Sequence, residues 1–299
     1  MKNIFRGCGT ALVTPFRSAD YSVDETALRQ LVDRQIVGGV DFLVPCGTTG
    51  ESPTLSHDEH RRVIEIVIEQ SAGRAPVIAG TGSNSTDEAL ELTSHAKKAG
   101  AKGCLVVSPY YNKPTQQGLY EHFTAIADIG LPMIVYNIPG RTGVNITPET
   151  MGRLTKHPNV IGIKEATGNL EQMTQDIVTC GPDVSYLSGD DTLTIPHMSV
   201  GGHGVISVIS NLLPDATAEM IHAARNGRFH EARAMHLRMF PLCRAMFIET
   251  NPIPIKAAMA LMGMLEPVWR RPMTPPAQAT VAAIKAEMEK FGLKPVPGG

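Results

Sequence analysis

The sequence predicts an α/β fold: a (β/α)8 TIM barrel with a C-terminal helical extension. Eight short runs rich in β-branched residues, at 10–13, 42–44, 77–79, 103–107, 133–136, 160–164, 184–187 and 204–208, alternate with longer stretches of helical period. Strict strand-then-helix alternation points to a parallel sheet with helices outside it. Alternation alone would also fit an open doubly wound sheet, but eight units are the number that closes a barrel, and barrels run to the 299 residues present here as one domain.

The elements are punctuated in order. In the first helical stretch Leu28, Leu31, Val32 and Ile36 share a face. Ser22 with Glu25, Ser56 with Glu59 and Ser85 with Glu88 have capping-box spacing. Thr147 before Pro148 puts a cap ahead of a proline suited to the first helical position. Gly38–Gly39, Gly73 and Gly100 follow periodic runs as stop signals. Gly201-Gly202-His203-Gly204, leading into the last strand, suits close packing. Beyond it only helical segments remain, at 215–226, 229–246, 253–264 and 276–291. The first completes the eighth unit, which places the barrel at residues 1–226 and the helical extension at 227–299, with no linker between them. The Pro/Gly-rich tail 294–299 is expected to fray.

Composition narrows the function. Hydrophobic residues make up 42% and the formal net charge is −2, with no run of like charges. This argues against a nucleic-acid groove or a membrane partner. The apolar stretches are strand-sized, and residues 1–9 lack the apolar core of a signal peptide. Five cysteines (Cys8, Cys46, Cys104, Cys180 and Cys243) without paired spacing read as reduced thiols of a cytoplasmic protein.

In such a barrel the chemistry sits at the C-terminal strand ends. Lys164 ends the run Val160-Ile161-Gly162-Ile163. Alternation puts Val160, Gly162 and Lys164 on one face, with Gly162 leaving room for a lysine in an apolar mouth. Desolvation disfavours an ammonium and frees the amine as a nucleophile toward carbonyls. The other reading is a surface lysine after an edge strand, and Lys256 is the rival nucleophile. Tyr136 ends the preceding strand and suits proton transfer or a core tyrosine equally. Gly47-Thr48-Thr49-Gly50-Glu51 follows the second strand, where exposed N–H groups suit a carboxylate. Gly80-Thr81-Gly82-Ser83 reads first as a turn. Arg141, in a Pro- and Gly-shaped loop, carries a planar fork suited to a carboxylate, although a lone loop arginine is more often solvated. His57 and His60 have helical spacing without a third ligand nearby, so no metal site stands out.

Gly47-Thr-Thr-Gly-Glu-Ser52, Ser108-Pro-Tyr-Tyr-Asn-Lys-Pro114, Tyr136-Asn-Ile-Pro-Gly-Arg-Thr-Gly143, Gly162-Ile-Lys-Glu-Ala-Thr-Gly168, Ser188-Gly-Asp-Asp191 and Gly201-Gly-His-Gly-Val-Ile-Ser207 occur in this order. With them the chain resembles the dihydrodipicolinate synthase family over essentially its whole length. The resemblance implies condensation of pyruvate with aspartate 4-semialdehyde, needing no metal or organic cofactor. It implies Lys164 as the Schiff-base lysine and a proton relay of Tyr136, Thr48 and Tyr111, the last lent by a neighbouring subunit. Thr48 and Thr49 would hold the pyruvate carboxylate, Gly189 and Ile206 line its pocket, and Arg141 receive the aldehyde's carboxylate. A homotetramer, built as a dimer of dimers, is implied as well. Ser52, His57, His60, Asn84, Glu88 and Tyr110 match positions of an L-lysine feedback pocket, with Pro53 departing from the small residue often found there. N-acetylneuraminate lyase and keto-deoxy-sugar-acid aldolases share the lysine and tyrosine, whereas Arg141 and the segment Lys164–Gly168 match the synthase pattern. A non-catalytic ligand-binding barrel would have no need of Lys164, Tyr136, Thr48 and Tyr111 together.

Overall fold

The computed structural model describes residues 5–296. In chain order its elements are β1 (Gly7–Ala11), α1 (Glu25–Val37), β2 (Phe42–Val44), α2 (His57–Ser71), β3 (Ile78–Gly80), α3 (Thr86–Ala99), β4 (Gly103–Val107), α4 (Gln116–Ala127), β5 (Met133–Asn137), α5 (Pro139–Thr142) and α6 (Pro148–Leu154). There follow β6 (Val160–Glu165), α7 (Leu170–Cys180), β7 (Ser185–Ser188), α8 (Thr194–Ser199), β8 (Gly204–Ser207), α9 (Pro214–Arg225), α10 (Phe229–Ala245), α11 (Ile253–Leu261) and α12 (Gln278–Phe291). The strands pair in the order β2-β1-β8-β7-β6-β5-β4-β3. A parallel bridge between Leu43 and Val77 joins the two ends, with Gly80 N–H donating to the Pro45 carbonyl at 2.9 Å. The sheet is therefore a closed barrel rather than an open one, which removes its edges.

Two apolar layers follow. Phe42, Val44, Ile78, Leu105, Ile134, Leu187 and Ile206 fill the barrel interior. A larger layer lies between the strands and the surrounding helices, and it runs without a break into Met239, Leu242, Ile255, Met259, Ile284 and Met288 of α10, α11 and α12. Among the described residues no helix is long and apolar enough to cross a membrane. Cys8, Cys46 and Cys104 are core thiols, each pushed up by burial.

Several local expectations change. β1 starts at Gly7, ahead of the expected 10–13, because Gly7, Cys8 and Gly9 pair with Gly204, Val205 and Ile206 of β8. Local propensity disfavours glycine in a strand, yet here the Phe42 ring lies 1.9 Å from where a Cβ on Gly9 would sit. Gly204, at φ +147, likewise has the Gly7 carbonyl oxygen 2.0 Å from a hypothetical Cβ, so its close-packing role holds. The first helix is capped by Asp24, which accepts from Ala27 N–H, and not by Ser22, whose hydroxyl turns back to Asp20. Ser56 and Glu59 form the full reciprocal box. Ser85 caps α3, but the Glu88 carboxylate is engaged by Ser83 and His57 instead of closing a box. Thr147 caps α6 ahead of Pro148 as expected. The tail is tied at Val296, whose N–H donates to the Leu261 carbonyl at 2.9 Å, while 297–299 lie outside the described residues, as do 1–4.

The alternation argument for Lys164 also needs correction. Met133 pairs with Val160, but Ile134 pairs with Gly162 and Tyr136 with Lys164, so β6 carries a bulge at Ile161. The extra residue reverses the phase of the strand. Val160 faces the helices, whereas Ile161 faces the interior and Gly162 and Lys164 pair with the interior residues Ile134 and Tyr136. Gly162 does not supply open space: a Cβ there would meet Ile134 at 3.1 Å and the Ser185 carbonyl at 3.2 Å.

Candidate active site

Lys164 and Tyr136 end neighbouring strands in register, and the lysine Nζ lies 4.1 Å from the centre of the tyrosine ring. Lys164 is only 5% exposed, and among the described residues no carboxylate stands within ion-pairing distance. Burial therefore holds its amine down at about 7, against a weaker upward pull from Asp191, while Arg141 adds to the lowering. Tyr136 is pushed up by burial, opposed by the Arg141 charge and by a hydrogen bond with the Thr48 side chain. The pair thus combines an amine that is in large part unprotonated near neutral pH with a phenol that keeps its proton.

The rival lysine is disposed of by its surroundings. Lys256 on α11 is completely buried, but its Nζ lies 2.5 Å from the Glu51 carboxylate and 4.3 Å from the Phe16 ring centre. An ammonium so paired is not available to a carbonyl. Glu51 Oε2 also accepts from Arg270 N–H at 3.3 Å, and the Arg270 guanidinium grips Glu59. This anchors the turn after β2 to the C-terminal helices. Position along the sequence gave no hint of it.

That turn, Thr48–Gly50, is a single 3-10 turn ending in a left-handed Glu51, φ 54°. It forms one wall of a cavity of about 210 Å³. Thr48, Tyr136 and Arg141 line it together, as do Ser52 and Tyr110. Gly80 and Gly82 line it too, so the loop read first as a turn borders the site. Arg141 reaches this wall from α5, its Nη2 donating to the Asn251 carbonyl at 2.9 Å. Thr49 is buried and accepts from the Asn251 side-chain amide at 3.0 Å. Gly189 approaches the lysine so closely that a Cβ would lie 3.1 Å from Lys164 Cε. Ile206 is fully buried in the same interior cluster as Tyr136. Asp191 is buried with Oδ2 accepting from Val208 and Ile209 N–H; burial pushes its carboxyl up, and in its charged form it pulls the amine's value upward. Sequence reasoning assigned no role to Asn251 or Asp191. Asp191 stood within a noted motif, and Asn251 carried no signal.

Tyr111 does not join this group. It is 89% exposed, on a left-handed backbone at φ 73°, and does not line the cavity of its own chain. The six positions of the second cluster come partly together. His57 Nε2 lies 2.7 Å from the Glu88 carboxylate, and Asn84 Nδ2 donates to the Tyr110 carbonyl at 3.2 Å. His60 is 4% exposed with neither ring nitrogen hydrogen-bonded, and burial lowers it to about 4. Ser52 and Tyr110 line the cavity next to Thr48, with Pro53 beside them.

Residues 4–291 match the model of the dihydrodipicolinate synthetase family. The chain belongs to that family. The 4-hydroxy-tetrahydrodipicolinate synthases of Geotalea uraniireducens and Syntrophus aciditrophicus are 53% and 54% identical to it. Each alignment covers 97% of this chain, with 100% and 99% of the relative. Among solved members, dihydrodipicolinate synthase from Aquifex aeolicus is 45% identical with a TM-score of 0.96, covering 98% of this chain and 100% of that one. The Cyanidioschyzon merolae family member, solved with lysine bound, is 42% identical with a TM-score of 0.94 and the same coverage. The barrel of this chain is thus the family's barrel along its length.

Proposed function

We propose that the chain is a 4-hydroxy-tetrahydrodipicolinate synthase, condensing pyruvate with aspartate 4-semialdehyde through a Schiff base on Lys164. The observation that carries this is the buried, unpaired Lys164 amine beside Tyr136. The neutral amine adds to the pyruvate C2 carbonyl, and Tyr136 passes a proton to the hydroxyl that leaves as water. The resulting iminium draws electrons from the methyl group, which loses a proton to give an enamine. The enamine carbon attacks the aldehyde carbon, forming the new C–C bond. The product's own amino group then adds to the iminium carbon and displaces Lys164, closing the ring.

Thr48 and Thr49 hold the pyruvate carboxylate, and Gly189 and Ile206 shape the space around its carbon skeleton. Arg141 takes the aldehyde's carboxylate, which favours this reaction over the sugar-acid aldolases that use the same lysine and tyrosine. Tyr111 completes the relay through Thr48 and Tyr136 in a neighbouring subunit of a homotetramer, in keeping with its exposure here. L-Lysine binds at Ser52, His57, His60, Asn84, Glu88 and Tyr110, a reading supported by the lysine-bound relative. The enzyme works in the cytoplasm. Incubation with pyruvate and borohydride, followed by mass spectrometry, is expected to give a stable adduct on Lys164, and turnover of the semialdehyde should accompany it. An adduct on Lys256, or none, would overturn the assignment.

A further inference from the structure

Asn251 belongs to neither a strand nor a βα loop. It lies between α10 and α11, yet it is only 5% exposed and touches the site from two directions. Its Nδ2 donates to Thr49 Oγ1 at 3.0 Å, and its backbone carbonyl accepts from Arg141 Nη2 at 2.9 Å. Thr49 follows β2, whereas Arg141 follows β5. We propose that Asn251 is a positioning residue for both substrates, orienting the Thr49 hydroxyl as a donor to pyruvate and fixing the Arg141 guanidinium for the aldehyde's carboxylate.

A threonine hydroxyl has one hydrogen and two lone pairs. An amide N–H that fills a lone pair leaves the hydrogen free to point at a carboxylate. An acceptor in the same place would take that hydrogen away. The direction of the Asn251–Thr49 bond therefore decides whether Thr49 can donate to a ligand. Arg141 is a long side chain on an exposed residue, and a fixed carbonyl removes part of its freedom before substrate arrives. The carbonyl is itself held. Lys256, just beyond it, is locked to Glu51 of the turn carrying Thr49, and Glu249, just before it, accepts from Ala277 N–H at 2.9 Å. One residue thus ties the two carboxylate-binding elements to each other and to the C-terminal helices.

This inference rests on the proposed reaction, so the test has two levels. Borohydride trapping of pyruvate on wild-type Lys164 tests the reaction, and its absence sinks that reading. Asn251→Ala, Asn251→Asp and Thr49→Val then test the strut, with steady-state rates measured against the semialdehyde and against its neutral amide analogue. Asn251→Ala should still trap pyruvate but lose about tenfold of its preference for the carboxylated aldehyde. Thr49→Val, which removes the acceptor at the other end, should lose the same preference at saturating pyruvate, and the double variant should lose no more than either. Asn251→Asp is nearly isosteric but only accepts, so it should raise the KM for pyruvate more than Asn251→Ala does. A merely structural residue would depress both aldehydes equally and tolerate the isostere better. Trapping with unchanged discrimination in Asn251→Ala, or in Thr49→Val if the former does not fold, overturns the role.

Discussion

Lys256 and Glu51 meet as an ion pair in which both side chains are closed to water, 2.5 Å from nitrogen to oxygen. Removing one member of such a pair leaves the other charged and uncompensated. Lys256→Met should therefore cost about 3–5 kcal/mol and lower the thermal midpoint by roughly 10 °C. Calorimetry reads this directly. The pyruvate adduct should remain on Lys164, since Lys256 takes no part in it.

The pH dependence of trapping follows from Lys164. Its folded-state value is lowered from 10.5 to about 7, with burial the main cause. Imine formation needs the neutral amine, so the trapping rate should rise with pH through about 7 and level off above it, falling about tenfold per unit below. For stability the sign is the same. The folded state holds fewer protons than the unfolded one between about 7 and 10.5, so this group's cost is greatest at low pH. Lys164→Met should be more thermostable than the parent at pH 6, with the gap closing by pH 10.

Asp176 gives the opposite slope. It is buried against Glu165 with no hydrogen bond to either oxygen apart from one it can share with that carboxyl, and burial followed by the Glu165 charge raises it to about 8. Its folded value lies above the ordinary 3.8, so the stability it contributes is complete below that value and is lost as pH rises through about 8. Asp176→Asn, which stays neutral, should lie close to the parent near pH 4 and gain on it as pH rises, exceeding its thermal midpoint by several degrees at pH 9. Equal midpoints at pH 9 would show that the carboxyl is not held protonated.

Tyr111 should act across a subunit boundary. Mixing Lys164→Ala with Tyr111→Phe, each inactive alone, should restore part of the activity once subunits exchange, because some mixed sites combine both native residues. Exchange confirmed by mass spectrometry without recovery would show that the tyrosine serves its own chain.

L-Lysine should bind at millimolar concentration or below and inhibit partially, with Glu88→Ala weakening inhibition while basal turnover stays. Glu88 is already held by His57 and Ser83 and offers an anion for the ligand's ammonium. His60, lowered to about 4 by burial, is neutral at pH 7 and adds no repulsion. Calorimetric titration with no heat and no inhibition would mean that the cluster takes no lysine.

Much of this was written locally. Strand and helix order, the caps at Ser56 and Thr147, and Lys164 at a strand end follow from periodicity and side-chain chemistry within a few residues. The motifs named the family. Local rules misjudged β1, because glycine is a poor strand former until Phe42 and β8 press against it. They also put Val160 on the wrong face, because the bulge at Ile161 exists only through pairing with β5.

What the sequence determined by itself was therefore the alternation that makes a barrel and the residue types able to do the chemistry. The tertiary structure supplied the physical difference between two apolar-flanked lysines, of which the motifs favoured Lys164. Lys164 and Lys256 look alike in sequence, but only one has a carboxylate folded onto it, from Glu51. It alone also brought Asn251 between Thr49 and Arg141. Charge and hydrogen-bond partners act over a few ångströms in space, and those neighbours stand up to 205 positions apart along the chain.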